Sequence, residues 1–284
     1  MTVRVDRRSF RHRLFGERLQ AIAITAQRAL LGVGLLRTSR ALLRGLRRSK
    51  PDAQGWTAHV DPGLHPFDTA FGVETAGFIG WRDLQSGGPN DPYISGYLGV
   101  TPSVCRRMID IIGNPAEYTF VDYGCGMGRA AIIASERPFY RVIGLEIVAS
   151  LAEIARRNVA VVTRNFPDRP SIEIVVGDAV DFELPPGPLV LFFFQPFERP
   201  VLRAVLDRLE QSLAAAPRPV ILLYLNPLVS KLLDDRSFLE RLGEWSHEPT
   251  AEERPFSLGG HGEVERFIAW GSRGSGAAIG LVGP

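Results

Sequence analysis

The chain has 284 residues, 45% of them hydrophobic, which is enough apolar content for one or two domains with a substantial core. Its formal charge of +2 conceals a gradient: residues 1–50 carry thirteen Lys/Arg against Asp6 and Glu17, a net +11, which leaves −9 for the rest. An acidic body argues against a broad nucleic-acid groove of its own making. Two cysteines (Cys105, Cys125) and five unclustered histidines argue against a disulfide framework and a metal site.

In residues 1–50, Leu19, Ile22, Ala26, Leu30 and Val33 recur at helical spacing, and Arg37, Arg40, Arg44 and Arg47 share a face opposite Leu36, Leu43 and Leu46. Such a basic amphipathic extension suits an anionic membrane surface or nucleic acid, or is a transit peptide or a disordered arm. Gln27-Arg28 interrupts the best apolar run, so no bilayer span is expected. Arg7-Arg8-Ser9-Phe10 resembles the start of a twin-arginine export signal, but Glu17, Arg18 and Gln20 spoil the apolar region that should follow. The expected location is therefore the cytoplasm.

Residues 51–116 read as a linker and a cap or lid. Pro, Gly and Asp dominate up to Pro66, and the stretches 67–77 and 93–102 show no regular pattern. Phe78 and Trp81 are expected to pack over one end of a sheet, and Tyr97 and Thr101 are lid candidates. A helix is predicted over 103–112, N-capped by Thr101 or Ser103 and stopped by Gly113-Asn114-Pro115.

From 117 to 270 strand and helix signals alternate. Strands are predicted at 118–122, 142–146, 172–176, 189–194 and 220–225, with helices at 128–136, 149–161, after Glu198 and over 228–242. Near-continuous apolar strands between helices define an α/β fold, a mostly parallel sheet with helices on both faces. Two final strands are expected at 244–247 and 264–270, and a Gly-rich tail follows from 271 to 284.

The first of these strands runs into Asp122-Tyr123-Gly124-Cys125-Gly126-Met127-Gly128-Arg129. A strand, a glycine turn and a helix start let backbone N–H groups approach a polar nucleotide-like ligand closely. The dinucleotide fingerprint G-x-G-x-x-G fails here, because its third glycine falls on Arg129. Carboxylates also close the next two strands, at Glu146 and at Asp178-Ala179. Strand C-terminal ends are where open α/β sheets bind ligands.

At these residues the chain resembles the class I S-adenosylmethionine (SAM) dependent methyltransferases, with a Rossmann-like sheet. The resemblance implies that Asp122, Gly124, Gly126 and Gly128 hold the methionine part of SAM, Glu146 the ribose hydroxyls, and Asp178 with Ala179 the adenine. The stretch Phe67-Asp68 to Gly77 is similar to a feature upstream of the domain in bacterial methyltransferase-like proteins of unassigned substrate. The general layout, with a helical and loop-rich region before the sheet, is similar to Dot1-type lysine methyltransferases. Gln195-Pro196-Phe197 resembles the Asn/Asp-Pro-Pro-aromatic motif of amino-group methyltransferases, with Gln in first place and no second proline. It implies an acceptor site in which an amide oxygen and a proline carbonyl receive the hydrogens of an amine and a ring packs beside it. Glu198 is a candidate base or simply a helix-start carboxylate. Asn226-Pro227 is a candidate pocket wall, and Cys125 a small turn residue. The expected function is thus methyl transfer from SAM to an unidentified acceptor. The alternatives are an inactive SAM-fold interaction protein and a dinucleotide-dependent oxidoreductase.

Overall fold

The computed structural model describes residues 65–257 and 264–273. The expectations for residues 1–64, and for the tail beyond Arg273, lie outside the described residues.

The elements in chain order are α1 (Pro66–Phe71), β1 (Phe78–Ile79), β2 (Tyr97–Leu98), α2 (Pro102–Asp110), β3 (Thr119–Tyr123), α3 (Arg129–Ala134), β4 (Arg141–Glu146), α4 (Ala149–Asn165), β5 (Ile172–Val176), β6 (Leu189–Phe193), α5 (Arg199–Ala215), β7 (Val220–Leu225), α6 (Ser230–Asp234), β8 (Leu239–His247) and β9 (Glu265–Ser272). Strands β3 to β9 form one seven-stranded sheet in the order β5-β4-β3-β6-β7-β9-β8. The five strands from β5 to β7 are parallel; β9 is antiparallel to both β7 and β8.

The central parallel strands β3, β4, β6 and β7 are largely apolar because both of their faces are covered, whereas the edge strand β5 is only partly buried. In β3, Phe120 points to one face, with Val142, Val190 and Ile221 from the neighbouring strands, against Val104 and Met108 of α2 and Ile132 of α3. Val121 points to the other, with Ile143, Leu191 and Leu222, against Leu202, Val205, Leu206 and Leu209 of α5. Each such fully buried aliphatic side chain contributes roughly 1.5–3 kcal/mol of burial free energy. After β3 the chain builds β4 and β5 to one side, then returns to place β6 and β7 on the other. The strand order therefore reverses between β3 and β6, which opens a crevice at their C-terminal ends.

Two stretches depart from the expectation. Of the predicted helix 228–242 only α6 forms, and the chain enters β8 at Leu239. Leu228, Leu232, Leu239 and Leu242 imitate helical spacing, but Leu239 begins an edge strand that alternates toward β9, with a bulge between Arg241 and Gly243. The cap also contains regular structure: α1, N-capped by His65 Nδ1 accepting from the Phe67 N–H and closed by Gly72, and a small antiparallel pair of β1 with β2. These elements are too short to leave a periodic signal.

Candidate functional site: a cleft at the strand ends

A cleft of roughly 890 Å³, counting its open mouth, lies at the crevice between β3 and β6. It is lined by Asp122, Gly124 and Gly126 from β3 and its turn, Glu146 from β4, Asp178 and Ala179 after β5, and Gln195, Pro196 and Phe197 after β6. Every residue named from the sequence as a SAM or acceptor contact thus meets in one place, except Gly128, and the candidate wall Asn226-Pro227 lies outside the lining. Gly128 is the N-cap residue of α3, and a Cβ there would face Ala155 of α4 at 3.3 Å, away from the cleft lining.

Two glycines are required by close approach. Gly124 has φ +72°, and a Cβ on it would lie 2.5 Å from Pro196 Cβ, so the turns after β3 and β6 pack in direct contact. Gly126 has φ +54°, and a Cβ there would lie 2.3 Å from Tyr97 Cε2. Tyr97 belongs to a roof formed by residues 73–100. Its hydroxyl donates to the Thr75 carbonyl (2.6 Å), and Asn158 of α4 clasps Glu74 through both the backbone N–H (3.0 Å) and the carbonyl (2.9 Å). At the turn after β6 the Ser95 N–H donates to the Pro196 carbonyl (3.4 Å) and the Glu198 N–H to the Tyr93 carbonyl (3.0 Å). After β5, Asn90 Nδ2 donates to Asp178 Oδ2 (2.7 Å), a contact between residues 88 positions apart that the sequence did not signal.

The three carboxylates differ in what they already hold. Glu146 accepts from the Gly126 N–H (2.8 Å) on one oxygen and from the Val148 N–H (2.9 Å) on the other, which leaves lone pairs for a vicinal diol. Burial pushes its pKa up, and those backbone bonds pull it back. Asp178 Oδ1 accepts from the Val180 N–H (3.1 Å), a turn cap that leaves Oδ2 with Asn90. Asp122 is the outlier: its Oδ2 is buried with no hydrogen-bond partner. Burial first, and the neighbouring Glu146 second, raise its pKa to about 8. A buried carboxylate with an empty oxygen is costly unless a cation or donor meets it.

After β6 and β7, Gln195 (φ +48°) and Asn226 (φ +47°) are the two described non-glycine residues in the left-handed region. They end neighbouring strands, and Gln195 Nε2 donates to the Asn226 carbonyl (2.5 Å). That donation orients the amide and leaves Oε1 as the acceptor for an incoming group. Asn226 is itself held by Glu265, whose second oxygen accepts from Thr101. Backbone strain of this kind persists where surrounding structure over-determines it, commonly at sites. Phe197 stands edge-on to Tyr123 and Phe193, so its ring is fixed. Thr101 and Glu198 lie outside the cleft lining; Thr101 is buried, and Glu198 occupies the N-cap of α5. Cys125 is buried beside Gly144 with its thiol pKa pushed up, the behaviour of a packing residue.

The order and direction of the strands define an open, mostly parallel α/β sheet of the Rossmann-like kind, with its crevice at the switch point between β3 and β6. No protein-family model and no curated protein sequence matches the chain. Among solved structures, a dimethyladenosine transferase from Plasmodium falciparum aligns over 62% of this chain and 63% of its own, at 11% identity and TM-score 0.42. The Synechocystis magnesium protoporphyrin IX methyltransferase with bound SAM aligns over 61% and 77%, at 15% identity and TM-score 0.42. A precorrin 8W decarboxylase from Methanobacterium thermoautotrophicum aligns over 59% and 88%, at 15% identity and TM-score 0.41. This chain thus spans less than two thirds of the first of these. Similarity at this level does not extend to reaction, acceptor or residue roles.

Proposed function

We propose that the cleft binds SAM and that the protein transfers its methyl group to an amino nitrogen presented at Gln195-Pro196-Phe197. The observation that carries this reading is the set of carboxylates Asp122, Glu146 and Asp178, which close three neighbouring parallel strands and line one cleft. Glu146 offers its remaining lone pairs to the ribose diol, Asp178 with the Ala179 backbone meets the adenine edge, and Asp122 Oδ2 receives the methionine ammonium. Bound SAM supplies a methyl group already activated on a sulfonium. The charge also fits, since a ligand of net positive charge enters a cleft whose three carboxyl groups outnumber its one arginine. A dinucleotide pyrophosphate would meet the opposite situation, because the amides it needs in the glycine turn are spent. Those of Gly124 and Cys125 donate to the Leu145 carbonyl and that of Gly126 to Glu146.

The chain's own part in transfer is positional. Gln195 Oε1 and the second lone pair of the Pro196 carbonyl accept the amine hydrogens and aim its lone pair, while Phe197 fixes the plane of the group. A cytoplasmic location fits this reading, because SAM is an intracellular metabolite.

The test is release of S-adenosylhomocysteine over a panel of amines and alcohols. Gln195→Ala is expected to slow turnover of an amine acceptor by about tenfold or more, with S-adenosylhomocysteine affinity nearly unchanged. Turnover of alcohols alone, or a Gln195→Ala variant as active as the parent, would contradict the assignment.

A further inference from the structure

The glycine turn has little left to offer an anion. The N–H groups of Gly124 and Cys125 donate to the Leu145 carbonyl at 2.8 and 2.9 Å, that of Gly126 to Glu146 at 2.8 Å, and that of Gly128 to the Cys125 carbonyl at 2.8 Å. Yet a methionine-type ligand in this cleft brings a carboxylate next to Asp122 and Glu146, and that carboxylate needs a donor of its own.

Among the described residues lining the cleft, the only cation is Arg129, the residue that follows the turn. It is 3% exposed. Its Nε donates to Thr75 Oγ1 (2.7 Å), and its Nη1 donates to the Val100 carbonyl (3.1 Å) and lies 3.3 Å from His65 Nε2. Burial, and then Arg129 itself, lower the His65 pKa to about 4, so at neutral pH this neighbour is uncharged. The Nη2 group has no hydrogen-bond partner; the nearest anion is Asp68 Oδ1 at 3.6 Å. Asp68 itself accepts from the Thr75 N–H (2.8 Å) and the Ala76 N–H (2.7 Å) on Oδ2 and from the Thr75 hydroxyl (2.5 Å) on Oδ1. A guanidinium has five N–H donors, and a buried one left unmade costs about 1–3 kcal/mol. Two such donors beside a turn whose glycine amides are already spent form a carboxylate receptor.

We propose that Arg129 Nη2 receives the carboxylate of the bound cofactor, and that the same guanidinium, through Thr75 and Asp68, makes the roof part of the cofactor site. This rests on the SAM reading above. Nη2 is buried, so a carboxylate reaches it only when the chain around it moves.

Two ligands that differ only in that carboxylate test it by calorimetry: S-adenosylhomocysteine and its decarboxylated counterpart, which keeps the amine. The parent protein is expected to bind S-adenosylhomocysteine about tenfold tighter or more. Arg129→Gln is expected to erase that preference while leaving the decarboxylated ligand within about twofold. An equal loss on both ligands would make Arg129 a structural pin only and overturn the proposal, as would a parent protein with no preference. Should Arg129→Gln fail to fold, hydrogen exchange on the parent chain decides. Protection over residues 73–76 is expected to change with S-adenosylhomocysteine and not with the decarboxylated ligand; the same change with both ligands would overturn the proposal. Folded parent protein that binds neither ligand refutes the SAM reading itself, a separate outcome.

Discussion

Gly126→Ala is expected to destabilise the fold by about 3 kcal/mol or more and to abolish measurable S-adenosylhomocysteine binding. The methyl group is placed 2.3 and 2.4 Å from two carbons of the Tyr97 ring, on a backbone already at φ +54°. Tyr97 has no cheap retreat. It is buried in β2, and its hydroxyl is spent on the Thr75 carbonyl, so yielding pulls on the roof that Arg129 and Asn158 fasten. The same residue's N–H also holds Glu146 in place for the proposed ribose contact. Urea unfolding and calorimetry together check the prediction. A variant of parental stability and affinity would show that the roof is not seated on the turn.

The second large effect is a proton on Asp122. Its folded pKa is raised from 3.8 to about 8 by burial and by Glu146. Near neutral pH the folded chain therefore holds a proton that the unfolded chain has released. With more protons bound to the folded state, stability falls as pH rises from about 4 and levels off above about 8. Asp122→Asn is expected to remove that slope and to stabilise the fold at pH 8.5 by about 2–5 kcal/mol, measured by urea melts across pH. An ammonium docked on Asp122 reverses the preference and favours the ionised carboxylate. Titration with S-adenosylhomocysteine at pH 7, in buffers of different ionisation enthalpy, is then expected to show release of about one proton, and none in Asp122→Asn. Equal proton release from both proteins would place the ammonium elsewhere.

Legibility followed burial. The central parallel strands are largely apolar on both faces and the edge strand β5 is a short β-branched run; β5 and β7 carry the predicted bounds and the others differ at the ends. The three carboxylates were readable because each ends such a run. Three features were not readable, each for a different reason. The stretch 228–242 is apolar at helical intervals by coincidence, because an edge strand needs only one apolar face. The roof is stitched by pairs far apart in sequence, such as Asn90 with Asp178 and Glu74 with Asn158, which leave no local pattern. Arg129 entered the sequence reading only as a missing third glycine. Its buried charge, with Asp68 and Thr75 around it, emerges when residues 54 to 64 positions apart come together. The glycine turn carries a related lesson: spacing showed where backbone N–H groups would cluster, but not that the neighbouring strand would use most of them.

The most direct test of the central claim is a calorimetric titration of the folded protein with S-adenosylhomocysteine, run beside NADPH and beside a Glu146→Ala, Asp178→Ala variant. The cleft described here predicts saturable one-to-one binding of S-adenosylhomocysteine, none of NADPH, and a loss of about a hundredfold or more in the double variant. A folded parent protein that binds NADPH, or that leaves S-adenosylhomocysteine unbound, would contradict it.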